Sequence, residues 1–165
     1  MSLEILEAKE AIREVIDKAY QADGFIFGSP VQYAGMSGNL KGFMDRLFFS
    51  EFQGNQNRAF YLKPAAAVVS ARRAGTTTVY SQLLKYFTVQ EMPVVSTRYW
   101  NMVHGMTAEE VEQDGEGLFN MRVLGRNMAY FLKCQEAARS VGIPLPEQEA
   151  PVFTNFVREY GRTRA

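Results

Sequence analysis

The chain has 165 residues, of which 47% are hydrophobic and 13% aromatic, a composition that predicts one globular domain and excludes a disordered chain. Its 18 basic and 18 acidic residues cancel, so the charge indicates neither a nucleic acid nor a membrane surface as a partner. The single cysteine excludes an internal disulfide, and neither a membrane-spanning run nor a signal-peptide core is recognisable, so we expect a cytoplasmic protein.

The first predicted elements are a helix, a strand and a second helix. Leu6–Tyr20 is an amphipathic helix by its apolar spacing. Its apolar stripe is Ala8, Ala11, Ile12, Val15, Ile16 and Ala19. Phe25–Phe27 is apolar without alternation, as in a parallel strand buried on both faces, and Gly28-Ser29-Pro30 is expected to end it. Ser37 can cap a helix over Ser37–Phe49, whose stripe is Leu40, Phe43, Met44, Leu47 and Phe48.

Two more strand–helix units are predicted after an irregular, partly aromatic segment, Ser50–Lys63. The second strand is Ala65–Ser70, and its helix begins at Thr76 or Thr77 and ends at Phe87. The third strand is Met92–Thr97. The loops that follow these two strands are Ala71–Gly75 and Arg98–Met106.

The last predicted elements are a short helix and a long one. Thr107 and Glu110 have the spacing of a capping box for the short helix. The long helix ends near Gly142, and its stripe is Leu118, Met121, Leu124, Met128, Phe131 and Leu132. We expect the domain core to span residues 4–142 and the proline-containing residues 143–165 to form an irregular tail.

Alternating strands and helices predict an α/β fold with a parallel sheet, right-handed crossovers and helices on both faces. In such sheets the loops at the carboxyl ends of the strands bind the ligand. Function is therefore expected in the loops after the three predicted strands.

Residues 28–46, GSPVQYAGMSGNLKGFMDR, resemble the GSPxYxxxxSGxLKxFxDR signature of the flavodoxin-like NAD(P)H-dependent FMN reductases. Within that superfamily the sequence is most similar to the flavodoxin-family and iron–sulfur-flavoprotein branch. The similarity continues through Lys63–Thr78, Tyr99–Gly105 and Leu118–Cys134. It implies a flavodoxin-like αβα sandwich with five strands in the order 2-1-3-4-5.

By this resemblance the three predicted strands are strands three, four and five of the family. The first two strands, the FMN-phosphate loop and the upstream cysteine cluster of the iron–sulfur branch have no counterpart here. The outer edge of Phe25–Phe27 is then unpaired, and an unpaired edge invites another strand. We expect either a dimer formed through this edge or a longer natural protein.

The resemblance implies that Ser29–Met36 is the first flavin loop, with Val31, Gln32 and Tyr33 along the isoalloxazine of FMN. Ser29 and Pro30 belong to the same predicted cofactor site, and Pro30 stiffens the loop. An aromatic side chain against a flavin buries area and tunes its potential. The alternative is an ordinary connection from a strand to a helix.

The second predicted flavin loop leads into a helix amino terminus, which suits an anion. Its candidate residues are Ser70, Ala71, Arg72, Arg73 and Gly75. The two arginines could meet a flavin oxygen or the phosphates of a nicotinamide dinucleotide. Solvated surface arginines are the alternative.

A third loop, Tyr99–Gly105, contains the only tryptophan and the only histidine. We expect the three loops to form an aromatic-walled pocket, in which His104 is a candidate donor to a flavin or to a quinone-like substrate. Local hydrogen bonding is the alternative for His104, and interface packing is the alternative for Trp100.

Several other polar residues are expected to be structural. Lys41, Asp45 and Arg46 should hold their helix against neighbouring loops or a second subunit. Cys134 lies on the long apolar stripe and is predicted to be buried. The acidic run Glu109–Glu116 should be solvated, and neither a metal-ligand spacing nor a dedicated catalytic acid or base is evident.

The function that the resemblance implies is an FMN-dependent oxidoreductase that moves electrons from NAD(P)H to a quinone, a flavin or a similar acceptor. The alternative is a non-catalytic flavodoxin-like scaffold or electron carrier with weakened FMN binding. The family commonly places its flavin at a subunit interface, so a homodimer or homotetramer is expected, with Ser50–Lys63 as the candidate contact.

Overall fold

The structure, a computed structural model, describes residues 3–54, 58–150, 152 and 154. Five helices and four strands lie in this part of the chain. In chain order they are α1 (Leu3–Gln21), β1 (Phe25–Gln32), β2 (Gly35–Met36), α2 (Gly38–Gly54), β3 (Ala65–Ala71), α3 (Thr76–Val89), β4 (Met102–His104), α4 (Ala108–Val111) and α5 (Gly115–Ser140).

The four strands form one sheet in the order β2-β1-β3-β4. β1, β3 and β4 are parallel, with Pro30 opposite Ser70 and Ala71 opposite His104 near their carboxyl ends. β2 is a two-residue antiparallel return that pairs with Val31 and Gln32. The predicted α/β class with a mostly parallel sheet is confirmed.

Helices cover the sheet from both sides. On one face, α1, α2 and α3 build the main core around residues such as Met44, Leu47 and Phe87. On the other face, Leu124 and Met128 of α5 pack against Ala66 and Val95. The large apolar side chains of the predicted stripes supply most of these contacts, because each stripe is the face that its helix turns toward the sheet.

The first strand is longer than predicted, since β1 continues through Pro30 to Gln32. The N–H of Phe25 donates to the Pro64 carbonyl at 2.9 Å and so points toward β3. Successive N–H groups of a strand alternate in direction, so position 30 faces the outer edge of the sheet. Proline breaks no ladder hydrogen bond there, which is why Pro30 does not end the strand.

The predicted burial of the first strand on both faces is also wrong. Exposure alternates along β1, and Ile26 is 56% exposed although Phe25 and Phe27 pack on the main core. The reason is the position of α5, which covers the β3 side of the second face. Within the described residues no element covers that face of Ile26.

The third parallel strand is interrupted. Val95 N–H donates to the Ala65 carbonyl at 2.8 Å, but pairing resumes only where Val69 N–H donates to the Asn101 carbonyl at 3.0 Å. Residues 96–100 leave the ladder between these points, and β4 itself is Met102–His104. The predicted strand Met92–Thr97 is therefore wrong, because only its middle, around Val94, bridges to β3.

The segment that was predicted to be irregular after the second helix is partly helical and partly core. α2 continues to Gly54, and residues 58–62 form turns. Phe60 is fully buried, with its ring centroid 4.6 Å from that of Phe48 and 5.1 Å from that of Phe25. Phe60 is therefore unavailable for the subunit contact that we expected from Ser50–Lys63, and residues 55–57 of that segment lie outside the described part.

Two side-chain predictions turn out differently. Cys134 is exposed, because it follows Met128 by six residues and so lies about 120° around α5 from the buried face. Asp45 does hold its helix, but against another helix, since it accepts hydrogen bonds from Lys41 and from Tyr86 of α3. In the first helix Ala11 is exposed, and the side chain of Ala8 is outside the described part.

The next predictions concern the cap of the short helix, the carboxyl-terminal tail and a membrane-spanning helix. Thr107 accepts the Glu110 N–H at 3.3 Å, as a capping residue does, and α4 has no buried residue. Residues 143–150 have no regular structure, and the predicted tail beyond them is mostly outside the described part. No helix in the described ranges has both the length and the apolar character to cross a membrane.

Candidate functional site

The carboxyl ends of β1 and β3 bring two of the predicted flavin loops side by side. A hairpin turn, Tyr33-Ala34, follows β1, and the loop Arg72–Gly75 follows β3. A Cβ added to Gly75 would lie 2.8 Å from Val31 Cγ1 and 3.1 Å from Ala34 Cα. Only glycine permits so close an approach, so Gly75 joins the loop to the hairpin.

The hairpin turn has an unusual backbone. Tyr33 and Ala34 have φ values of 49° and 58°, the left-handed region that non-glycine residues rarely adopt. Two successive left-handed residues are what a two-residue hairpin requires, and the turn carries the Tyr33 side chain fully into solvent. Non-glycine residues in this region often mark functional sites.

Hydrogen bonds from both sides hold the hairpin. The Ser29 hydroxyl donates to the Pro30 carbonyl at 2.8 Å and accepts the Ser37 N–H at 2.9 Å. The Met36 N–H donates to Gln82 Oε1 of α3 at 2.9 Å. Ser29 is buried, so its hydroxyl serves the hairpin and lies beneath the surface of the edge.

The β3 loop supplies positive charge. Arg72 and Arg73 are exposed, whereas Ser70 and Ala71 lie within the end of β3. Gly75 is the N-cap of α3 with φ 94°, and it provides no side-chain cap to the first turn. The positive end of the α3 dipole therefore lies beside the two arginines, an arrangement that suits an anion or a carbonyl oxygen.

His104 ends β4 at the same edge, and its backbone is fixed by Asp114. The His104 N–H donates to Asp114 Oδ2 at 2.7 Å, and His104 Nδ1 lies 3.7 Å from the same oxygen. Asp114 also accepts the Gly117 N–H at 2.9 Å as the N-cap of α5. Partial burial acts to raise the pKa of Asp114, but the hydrogen bonds from Gly117 and His104 outweigh it and hold that pKa below its ordinary value.

Removal of this carboxylate gives a pH-dependent prediction. We expect Asp114→Ala to lower the free energy of unfolding by about 1 kcal/mol at neutral pH, the usual effect of losing an N-cap. The folded-state pKa is depressed, so this stability is present above the ordinary carboxyl pKa and is lost as the pH falls through the lower folded value. Denaturant unfolding should show a smaller difference in the free energy of unfolding between this variant and the parent in acid than at neutral pH. Glu112→Ala, which changes an exposed side chain, should not alter the free energy of unfolding at either pH.

Trp100 packs against Tyr99. The ring centroids of Tyr99 and Trp100 are 4.7 Å apart, and both line a separate cavity of about 580 Å³ with Tyr80 and Leu84 of α3. No residue of the two flavin loops lines that cavity. The single aromatic-walled pocket expected from the three loops therefore stays a prediction, since this cavity joins the aromatic pair to α3.

Most of the predicted site residues lie together at this edge of the sheet, with Pro30 beside them and Ser29 beneath. They are Val31, Gln32, Tyr33, Ser70, Ala71, Arg72, Arg73, Gly75 and His104. Asp114 and Gln82 were not among the predicted site residues, although they position His104 and the hairpin. An aspartate three residues before a helical glycine was a capping signal for Asp114. Gln82 gave no signal, since its partner is distant in sequence. In the described ranges no group of three His, Cys, Asp or Glu residues could hold a metal ion.

A family model described as NADPH-dependent FMN reductase matches residues 3–107. An iron–sulfur flavoprotein of Methanocaldococcus jannaschii is 30% identical over 131 residues, which cover 74% of this chain and 65% of that protein. The chain thus spans less than two thirds of the length of this curated relative.

Solved structures show the same fold. A flavodoxin, WrbA-like protein from Agrobacterium tumefaciens has a TM-score of 0.52 at 20% identity, covering 67% of this chain and 69% of its own. The Trp repressor binding protein of Bacillus subtilis has a TM-score of 0.53 at 18% identity, and the match covers 73% of this chain and 72% of that protein. The predicted flavodoxin-like fold is confirmed, and at these identities the likeness concerns the fold alone.

Proposed function

Because the chain belongs to the NADPH-dependent FMN reductase family, we propose that it binds FMN at the carboxyl edge of its sheet and transfers electrons from NAD(P)H to a quinone, a flavin or a similar acceptor. The observation that carries this proposal is the close packing of Gly75 against Val31 and Ala34. It joins the two loops that the family resemblance assigns to the flavin, at the edge where α/β sheets bind ligands.

The residues at the edge fit an FMN. The exposed Tyr33 and the neighbouring Gln32 offer an aromatic face and amide groups for the isoalloxazine. Arg72, Arg73 and the uncapped first turn of α3 offer positive charge for its polar oxygens or phosphate. Bound FMN would supply the two-electron chemistry, while these residues bind it and fix its orientation.

His104 has a supporting part in the proposal. Its backbone is tied to Asp114, and its imidazole is 40% exposed at the end of β4. Asp114 Oδ2 lies 3.7 Å from Nδ1, so Nε2 is the ring nitrogen that is available to the substrate or the flavin. No further acid or base is needed, because electron transfer depends mainly on the cofactor.

A binding titration tests the proposal. We expect the purified chain to quench FMN fluorescence saturably and to oxidise NADH or NADPH in the presence of a quinone. The double variant Arg72→Gln/Arg73→Gln should raise the FMN Kd by about tenfold or more, because hydrogen bonds to charged groups contribute about 1.5–3 kcal/mol each. Arg126→Gln, on the exposed side of α5, is the matched control.

The outcomes separate the candidate functions. A chain that ignores FMN would contradict the proposal. FMN binding without oxidation of either nicotinamide would instead indicate the non-catalytic electron carrier. An equal Kd in the double variant and in the control would show that the β3 loop does not hold the cofactor.

We also propose that the protein forms a dimer through β1 and works in the cytoplasm. Residues 25–30 of β1 have a ladder partner only on the β3 side within the described chain, and Ile26 is exposed beside that edge. Such an edge favours pairing with a second strand. Light scattering should give twice the mass of one chain, and a monomer at high concentration would contradict the dimer.

A further inference from the structure

A cleft of about 790 Å³ lies where the chain enters β1 and β3, at the end of the sheet opposite the flavin loops. The turn at residues 58–63, the last turns of α5 and residues 142–146 form its walls. Its size is within the range of small-molecule sites, which are commonly about 300–1,000 Å³. No residue of the proposed flavin site lines it.

The cleft carries excess positive charge. Three cations, Arg58, Lys63 and Arg139, line it together with one carboxylate, Asp23. Arg139 Nη1 lies 2.9 Å from Asp23 Oδ1, so the one acid is already paired. Arg58 is exposed, and the structure gives it no ion pair among the described residues.

Lys63 is partly buried, and its ammonium group contacts the carboxyl end of α1. Its Nζ donates to the Ala19 carbonyl at 2.7 Å and to the Tyr20 carbonyl at 3.2 Å, at the carboxyl end of α1. Burial lowers the pKa of Lys63, Asp23 opposes that shift, and Arg139 adds to it. A bound anion would offset both the burial and the repulsion from Arg139.

Most of the remaining wall is apolar, and hydrogen bonds hold it in place. Leu62, Ile143 and Leu145 line the cleft, and the last two are more than 60% exposed. Gln135 Nε2 donates to the Leu62 carbonyl at 2.6 Å, and the Tyr61 hydroxyl donates to the Pro146 carbonyl at 3.3 Å. These two contacts attach the turn to α5 and to the chain that follows it, so hydrogen bonds fix the position of this wall.

From this combination we propose that the cleft is a second ligand site, which binds a soluble organic anion with one carboxylate or phosphate group and an apolar body. The anionic group contacts Arg58 and Lys63, and the apolar body lies on Leu62 and Leu145. A neutral apolar molecule would leave the excess charge unmatched, and a bare inorganic ion would leave the apolar wall in water. The inference is independent of FMN binding.

Octanoate is a suitable probe, with octanol and inorganic phosphate as partial mimics. We expect octanoate to shift the backbone NMR signals of residues 61–63 and 142–146 saturably, and each partial mimic to bind at least about tenfold more weakly. Arg58→Gln should raise the octanoate Kd by about tenfold, and Leu145→Ser should also raise it. Arg126→Gln should not change it, and Arg58→Gln should leave the FMN Kd unchanged.

Each other outcome would overturn the proposal. Equal binding of octanol would show a merely apolar groove, and an unchanged Kd in Arg58→Gln would remove the charge argument. Shifts confined to residues 70–75 would place the probe at the flavin edge. The absence of saturable shifts, or binding to phosphatidylglycerol vesicles without binding of octanoate, would exclude a soluble anion.

Discussion

Replacement of Phe60 by alanine is expected to lower the free energy of unfolding by about 3–5 kcal/mol, the range for a buried phenylalanine. Phe60 is fully buried between the rings of Phe25 and Phe48, so its loss leaves a cavity where β1 meets α2. A domain of this size is stable by only about 5–15 kcal/mol, so this change removes a large part of the total. Denaturant unfolding followed by circular dichroism measures the difference.

Phe49→Ala is the matched control for this prediction. It removes the same side chain from a position that is 65% exposed on α2, so the free energy of unfolding should change by less than about 1 kcal/mol. If both variants lost equal stability, Phe60 would not have the core position that the structure gives it. A larger loss in Phe49→Ala would point to an interface that buries Phe49.

The second large effect is expected at Gly75, where alanine should weaken both folding and FMN binding. A left-handed backbone is unfavourable for alanine by about 1–2 kcal/mol. The new methyl group would also meet Val31 Cγ1 at 2.8 Å and the Ala34 backbone at 3.1 Å, so the β3 loop must move away from the hairpin. We expect a loss of about 2–4 kcal/mol in the free energy of unfolding, by the usual size of overpacking effects, and at least a tenfold higher FMN Kd.

Gly125→Ala separates this local effect from a general effect of glycine replacement. Gly125 is an exposed position inside α5, and a Cβ there would contact nothing within 4 Å. This variant should gain about 0.5–1 kcal/mol, because alanine favours a helix more than glycine does, and its FMN Kd should be unchanged. Tight FMN binding by Gly75→Ala would show that the contact between the two loops is unnecessary for the cofactor.

The two predictions concern residues that the sequence revealed to different degrees. Gly75 was predicted as part of a flavin loop, because that loop follows a buried strand and leads into a helix amino terminus. Phe60 was assigned to an irregular surface segment, since no periodic pattern surrounds it. Its burial depends on packing against Phe25 of β1 and Phe48 of α2, and no local sequence pattern shows such contacts.

The sequence by itself determined the order of the five helices and of the first two parallel strands, the α/β class and the two loops that meet beside Gly75. Hydrophobic spacing and turn residues act locally, and the carboxyl ends of parallel strands meet at one edge whatever the details. The tertiary structure alone decided that β1 continues past Pro30, that the chain leaves the sheet at residues 96–100, and that Cys134 is exposed. Each of these depends on which neighbour a backbone group or side chain faces, and pairing and burial by distant elements set that neighbour.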